Sequence, residues 1–285
     1  MMKKNIVIAS HSYDEAITNC IIKNRESLEA HITIVMLEDL LFVYDIFDEL
    51  NDASNSIKWY KNEKEYISNE SHLLLNRVLY FPESLFASFR SIDRDYAQRE
   101  FEAYIGFSFN SFSGLGNQTT TGLCEKIMSL PQQWNKVRKE CNASTPNYYW
   151  GPSVFNSLAK KNNLVRSSIY NFLNWFPSNN LSEEEHVFCF ERPRGEPIFV
   201  LVIGNKMLIT ADRLLSDSTK KRVEELAKKI SKYINYFIAE ILFFIDGVDL
   251  IFGCVSADII RSKKNNYFEK FVCENLISEF MICAN

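Results

Sequence analysis

Apolar residues recur along this chain in two rhythms, and the switches between them outline its elements. NIVIAS at 5–10 and HITIVML at 31–37 are compact β runs. Between them, YDEAITNCIIKNRESLEA at 13–30 sets Ala16, Cys20, Ile21 and Leu28 on one helical face. Strand, helix, strand predicts an α/β unit with a parallel sheet. A polar stretch at 45–70 reads as irregular or edge material, and HLLLNRVLYF at 72–81 as a third strand. SIDRDYAQREFEAYIGFSF at 91–109 is helical in period: Ala97, Phe101, Tyr104 and Ile105 share a face, and Asp95 and Arg99 are spaced as an i,i+4 pair on another. A loop at 110–122 leads to a second helix around Pro131.

NASTPNYYWGPS at 142–153 is rich in helix and strand breakers, which predicts a domain boundary, with domains over 1–145 and 146–285. A short helical piece is expected at 153–161, and a strand running into a helix or loop at 163–176. HVFCFE and EPIFVLVI then read as a hairpin about the charged turn ERPRGEP, followed by a second hairpin turning at Gly204-Asn205. The residues 217–237 form the clearest amphipathic helix, with Val223, Leu226, Ala227, Ile230, Tyr233 and Ile234 as its stripe and Asp217 or Ser218 as its cap. FIAEILFFI and VDLIFGCVS flank Asp246-Gly247, a strong hairpin signal, and a terminal helix closes the chain.

Composition narrows the function classes. With 285 residues and 46% hydrophobic content, the chain can bury one large core or two modest ones. A net charge of -4 gives no electrostatic footprint for nucleic acid, and the basic runs at 219–222 and 261–264 are short enough to be solvated faces. Seven cysteines are scattered without a CxxC or a ligand-like spacing to the four histidines, as suits a reducing cytoplasm. No apolar run is long enough to span a membrane, so a cytoplasmic protein without membrane or nucleic-acid partners is expected.

One residue breaks its pattern. Glu240 lies inside FIAEILFFI, where a buried carboxylate is costly unless it is paired, hydrogen-bonded or bound to a metal. Three readings stay open: an edge strand with Glu240 in water, a buried ion pair, or a metal or ligand contact. With Asp246-Gly247 as the two loop residues, Glu240 faces Gly253, which offers a cation no second side-chain oxygen. In the turn at 191–197, Arg192 and Arg194 are suited to holding a phosphate or an acidic peptide, or are neutralised by Glu191 and Glu196 in a solvated turn. Weaker candidates are the loop GLGNQTTTG at 114–122, the Ser10, His11 and Asp14 turn after the first strand, and the aromatics Trp134, Tyr148, Tyr149, Trp150 and Trp175 as a peptide groove or as packing. His72 and His186 read as structural.

The order of segments VLVIGNKMLI, amphipathic helix, FIAEILFFIDGVDLIFG resembles the C-terminal core of ATP-grasp ligases. The first half, with its strand-first α/β unit, RDYAQREFEAYIGFSF and LPQQWNKVRKECNASTPNYYW, is similar to the N-terminal half of peptide-modifying ligases of the graspetide (microviridin) type. The resemblance implies a mixed α/β (α+β) fold, with an N-terminal pre-ATP-grasp-like domain and a reduced ATP-grasp-like C-terminal domain. It implies ATP and Mg²⁺ as cofactors, Glu240 as the first metal acid, and Arg192, Arg194 or Lys206 as phosphate contacts. Gly204 and Asn205 keep the family's turn. Gly253, Cys254 and Ser256 fall where the second acid and its partner Asn are expected, and Phe199 stands where the family has an Arg. The stretch 151–186 should hold the lysine-bearing strands and the phosphate loop, yet Gly151 is its only glycine and Lys160 and Lys161 are its lysine pair.

Those departures bear on rate. Phosphoryl transfer rests on positioning and charge stabilisation. Each contact of this kind is worth roughly 3–4 kcal/mol, so losing two slows the reaction by about five orders of magnitude. The expectation is an ATP-grasp-like protein of a peptide-modification or secondary-metabolite pathway, catalytically reduced, that binds a peptide or a partner enzyme as part of a homo- or hetero-oligomer. An active ATP-dependent carboxylate–amine ligase is the second reading and a structural subunit the third. Nucleotide chemistry predicts Glu240 in a cleft beside the basic groups; its loss predicts Glu240 at a solvent edge or in a salt bridge.

Overall fold

A computed structural model describes residues 5–28, 31–50, 55–112, 122, 128–152, 164–177 and 186–283. They divide into two compact units. One takes in residues up to Lys126, then Tyr236–Ile238 and Asn266 onward; the other spans Ile127–Asn235 and Ala239–Asn265. The break falls at 126/127 rather than near 145, and the C-terminal helix belongs to the first unit.

The first unit opens with β1 (Asn5–Ser10), α1 (Ala16–Asn24) and β2 (Ile32–Met36). After the short α2 (Leu37–Phe42) come β3 (Asp45–Leu50), β4 (Asn55–Lys61), β5 (Lys64–Ser68) and β6 (His72–Arg77). β1 pairs in parallel with both β2 and β6, as the strand–helix–strand pattern predicts. The stretch expected to be irregular is instead the antiparallel sheet β3-β4-β5. Its polar residues hide one apolar face: Ile57, Trp59 and Ile67 are fully buried, and Trp59 packs on Phe109 and Phe112. α3 (Ser91–Asn110) lays Ile105 and Phe109 on the same core with Ala97 and Phe101 beside them; Tyr104 sits at its rim, 37% exposed.

The second unit begins with α4 (Leu130–Cys141), started by a capping box between Ser129 and Gln132 with Pro131 in the first turn. β7 (Tyr148–Pro152), β8 (Leu164–Ser168), β9 (Asn171–Pro177) and β10 (His186–Glu191) form an antiparallel sheet in the order β7-β10-β8-β9. Residues 164–177, expected as a strand running into a helix or loop, are thus a β8–β9 hairpin, and the helical piece expected at 153–161 lies outside the described residues. β11 (Glu196–Ile203), β12 (Lys206–Ala211), β13 (Ile238–Asp246) and β14 (Asp249–Ser256) make a second sheet in the order β12-β11-β13-β14. Gly204-Asn205 closes the β11–β12 hairpin as expected.

β10 and β11 do not pair as a hairpin. They belong to different sheets, so residues 192–195 carry the chain from one sheet to the other. Two apolar strands joined by a short turn have the same sequence pattern whether they pair or diverge, and only the partner strands decide. Gly195 makes the crossing feasible: its φ is +93°, and a Cβ there would collide with the carbonyl of Ile245.

α5 (Asp217–Ile234) buries Val223, Ala227, Ile230 and Ile234 of its predicted stripe. Its cap is Ser216, one residue before the expected Asp217 or Ser218, accepting a hydrogen bond from the Thr219 N–H. α6 (Phe268–Cys283) ends the chain in the first unit, packed on α1, with Phe280 against Phe237. No helix among the described residues is long and apolar enough to cross a membrane.

Candidate functional site

β13 and β14 carry the carboxylate that broke the sequence pattern. Asp246 pairs with Asp249, so the loop residues are Gly247 and Val248 rather than Asp246 and Gly247. Between Leu242 and Phe243 the register then shifts, leaving Gly253 as the extra residue of a bulge. Together the two shifts move the partner of Glu240 by three residues, from Gly253 to Ser256. α4 holds this irregular edge. The Trp134 indole donates to the Gly253 carbonyl at 2.6 Å; Gln133 donates to the Val255 carbonyl at 3.1 Å and accepts from the Val255 N–H at 2.7 Å.

Glu240 is 3% exposed, so it is neither at a solvent edge nor in an open cleft. Its carboxylate accepts backbone N–H groups from the loop beyond β14: Ile260 at 3.1 Å, Arg261 at 3.2 Å to each oxygen, and Ser262 at 2.6 Å. These are the donors entering the 3-10 turn Ser262–Lys264. Across the ladder are the Ser256 hydroxyl and, nearby, the Cys254 thiol, which burial and then the Glu240 charge push above its ordinary value. A hard divalent cation takes six or more oxygen ligands. Here both oxygens of the available acid already face N–H donors, one neighbour is a protonated thiol, and among the described residues no three His, Cys, Asp or Glu cluster as a metal site. These residues do not compose a Mg²⁺ cage. Phe199, where the ligase resemblance implies an Arg, is buried in β11.

The basic residues fall in two places. Arg192 and Arg194 are exposed on the sheet-to-sheet turn and line a groove of about 490 Å³ with Glu191, Asp246 and Asp249, floored by Ser144–Asn147. Glu191 accepts from the Asn147 amide at 2.8 Å, and Glu196 pairs with Arg213 at 2.5 Å rather than with an arginine of the turn. Lys206 is exposed at the far end of β11 from that turn, roughly 25 Å along an eight-residue strand. Gly195 abuts Ile245, and Glu240 is five residues back along β13, roughly 17 Å away. The four residues singled out by sequence therefore do not converge on one point.

The turn after β1 is internally engaged. Glu15, not Asp14, caps α1, accepting from the Thr18 N–H at 2.8 Å, and it pairs with Arg77 of β6 at 2.8 Å with both side chains buried. Burial alone would raise the Glu15 pKa, but the Arg77 guanidinium and the Thr18 hydrogen bonds hold it below the ordinary value. His11 contacts the Arg77 carbonyl and Leu79 N–H, and its ring lies 4.2 Å from Tyr80. An arginine inside the apolar run HLLLNRVLYF, not singled out from the sequence, was the signal that could have pointed to this pair. Of the aromatics, Trp134 is core, among Tyr148, Phe172, Phe188 and Phe190, while Trp150 is 63% exposed. The Trp175 side chain, Lys160, Lys161 and all but Gly122 of the 114–122 loop lie outside the described residues.

The fold is similar to that of ATP-grasp ligases of known structure. The macrocyclase MdnC bound with precursor peptide MdnA from Microcystis aeruginosa aligns with a TM-score of 0.70 at 12% identity, over 96% of this chain and 99% of that one. A RiPP-associated ATP-grasp ligase from Chryseobacterium gregarium, in complex with ADP and a leader and core peptide, aligns at 0.62 and 12% identity, over 98% and 95%. D-alanine–D-alanine ligase from Bacillus anthracis, complexed with ATP, aligns at 0.55 and 12% identity, over 99% of each chain. No protein-family model matches the chain, and no curated protein sequence matches it.

Proposed function

We propose that this chain is a catalytically reduced ATP-grasp protein of a peptide-modification pathway, acting by binding a peptide or a partner enzyme. The observation that carries the reading is Glu240. Its carboxylate meets the N–H groups of residues 260–262, with serine and cysteine across from it. The neighbours solved with precursor, leader or core peptides support the peptide pathway. The groove bearing Arg192 and Arg194 has both charge signs, which suits the backbone and mixed side chains of a peptide more than a polyanion.

The test is ATP binding with excess Mg²⁺, by calorimetry and thermal shift, on the wild-type protein. A nucleotide at a hundred times its dissociation constant stabilises a fold by about 2.7 kcal/mol. The expected outcome is no heat and no shift at millimolar ATP. Saturable Mg²⁺-dependent binding, with ATP consumed when a peptide is added, would overturn the proposal in favour of a working carboxylate–amine ligase.

A further inference from the structure

Cys20 of α1 and Cys273 of α6 lie 253 residues apart in sequence, with their sulfurs 3.8 Å apart. The helices that bear them are clasped at the same level: Lys23 pairs with Glu269 at 3.1 Å, and the Cys20 thiol points to the Glu269 carbonyl at 3.7 Å. Cys20 is 2% exposed and Cys273 is half-buried, so Cys273 is the more accessible member of the pair.

We propose that Cys20 and Cys273 form a redox clasp, closing to a disulfide when a peroxide oxidises the less buried member, Cys273. The Cys273 thiolate attacks hydrogen peroxide, giving a sulfenic acid and hydroxide. The Cys20 sulfur then attacks the sulfenic sulfur; the S–S bond forms, the S–O bond breaks, and Cys20's proton leaves with the hydroxyl as water. Two thiols are oxidised by two electrons and one peroxide is reduced to two waters. Closure needs the sulfurs to approach from 3.8 Å to about 2.05 Å. The clasp fastens the last helix to the first and encloses in one covalent ring every residue of the second unit.

The surroundings make it slow. Burial pushes both thiols above their ordinary value; their mutual contact raises Cys20 further and, as a hydrogen bond, draws Cys273 partly back down, while Glu269 raises both, Glu274 raises Cys273 and Lys23 opposes the rise at Cys20. The closing rate therefore rises about tenfold per pH unit across the neutral range, where thiolate is scarce.

The experiment treats the reduced full chain with hydrogen peroxide, blocks remaining thiols with N-ethylmaleimide under denaturing conditions, and maps peptides by mass spectrometry without reductant. The expected result is a linked Cys20–Cys273 peptide pair, two hydrogens lighter than its parts, abolished by dithiothreitol and absent in Cys273→Ser. Oxidation should raise the unfolding midpoint of the wild type and leave that of Cys273→Ser unmoved. Cys20 recovered fully alkylated, Cys273 recovered as sulfinic acid, or other cysteines linked in equal yield would overturn the proposal.

Discussion

At the scale of single residues, an out-of-place charge in an apolar strand was the most informative signal in the sequence. Both Glu240 and Arg77 are buried, the first met by backbone N–H groups and the second by the Glu15 carboxylate. What sequence could not tell was the partner. For Glu240 the partners are three consecutive N–H groups some twenty residues on, and a run of backbone donors leaves no mark in side-chain identity. Glu240→Gln keeps the shape but sets an amide donor against those donors. It should destabilise the fold by about 1–3 kcal/mol, read as a lower denaturant midpoint at unchanged slope. A Glu240 that served only a cation would give a variant of wild-type stability in metal-free buffer.

Among the elements, strands and helices with one clean period were legible and their pairings were not. α3 and α5 follow from helical periodicity, because one buried face suffices to write a period into sequence, while β1, β2 and the β13–β14 hairpin follow from continuous apolar runs and the Asp246-Gly247 turn signal. The β3–β5 sheet was hidden because only a few apolar residues, among them Ile57, Trp59 and Ile67, face its core, and charged residues are interspersed between them. The β10–β11 pair read as a hairpin because divergence of two strands is a tertiary matter. The bulge at Gly253 is the clearest case: a glycine hints at it, but α4 fixes it through Trp134 and Gln133. Trp134→Phe retains the ring in its aromatic cluster and removes the donor to the Gly253 carbonyl. A loss of about 1–3 kcal/mol in thermal unfolding is expected, where a purely hydrophobic role for Trp134 would give little change.

At the scale of the whole molecule, the Glu15–Arg77 pair ties α1 to β6 and gives the first unit a pH limit. Glu15's folded pKa lies below its unfolded value of about 4.5. Its contribution is thus fully present above that pH and is lost as pH falls through the folded value. Unfolding followed by circular dichroism should show stability decreasing below about pH 4.5, and Glu15→Gln should remove that part of the pH dependence. Leaving Arg77 buried without its counterion should cost about 3–5 kcal/mol at neutral pH. The sequence by itself determined the mixed α/β class, most of the elements, and the absence at 199, 254 and 256 of the side chains that the ligase resemblance implies, because burial periodicity and residue identity are local properties. Tertiary structure alone decided that the C-terminal helix returns to the first unit, that the charged turn crosses between sheets, that Glu240 meets N–H donors, and that Cys20 meets Cys273. Each of those depends on which distant segments share a surface, and no local pattern records that choice.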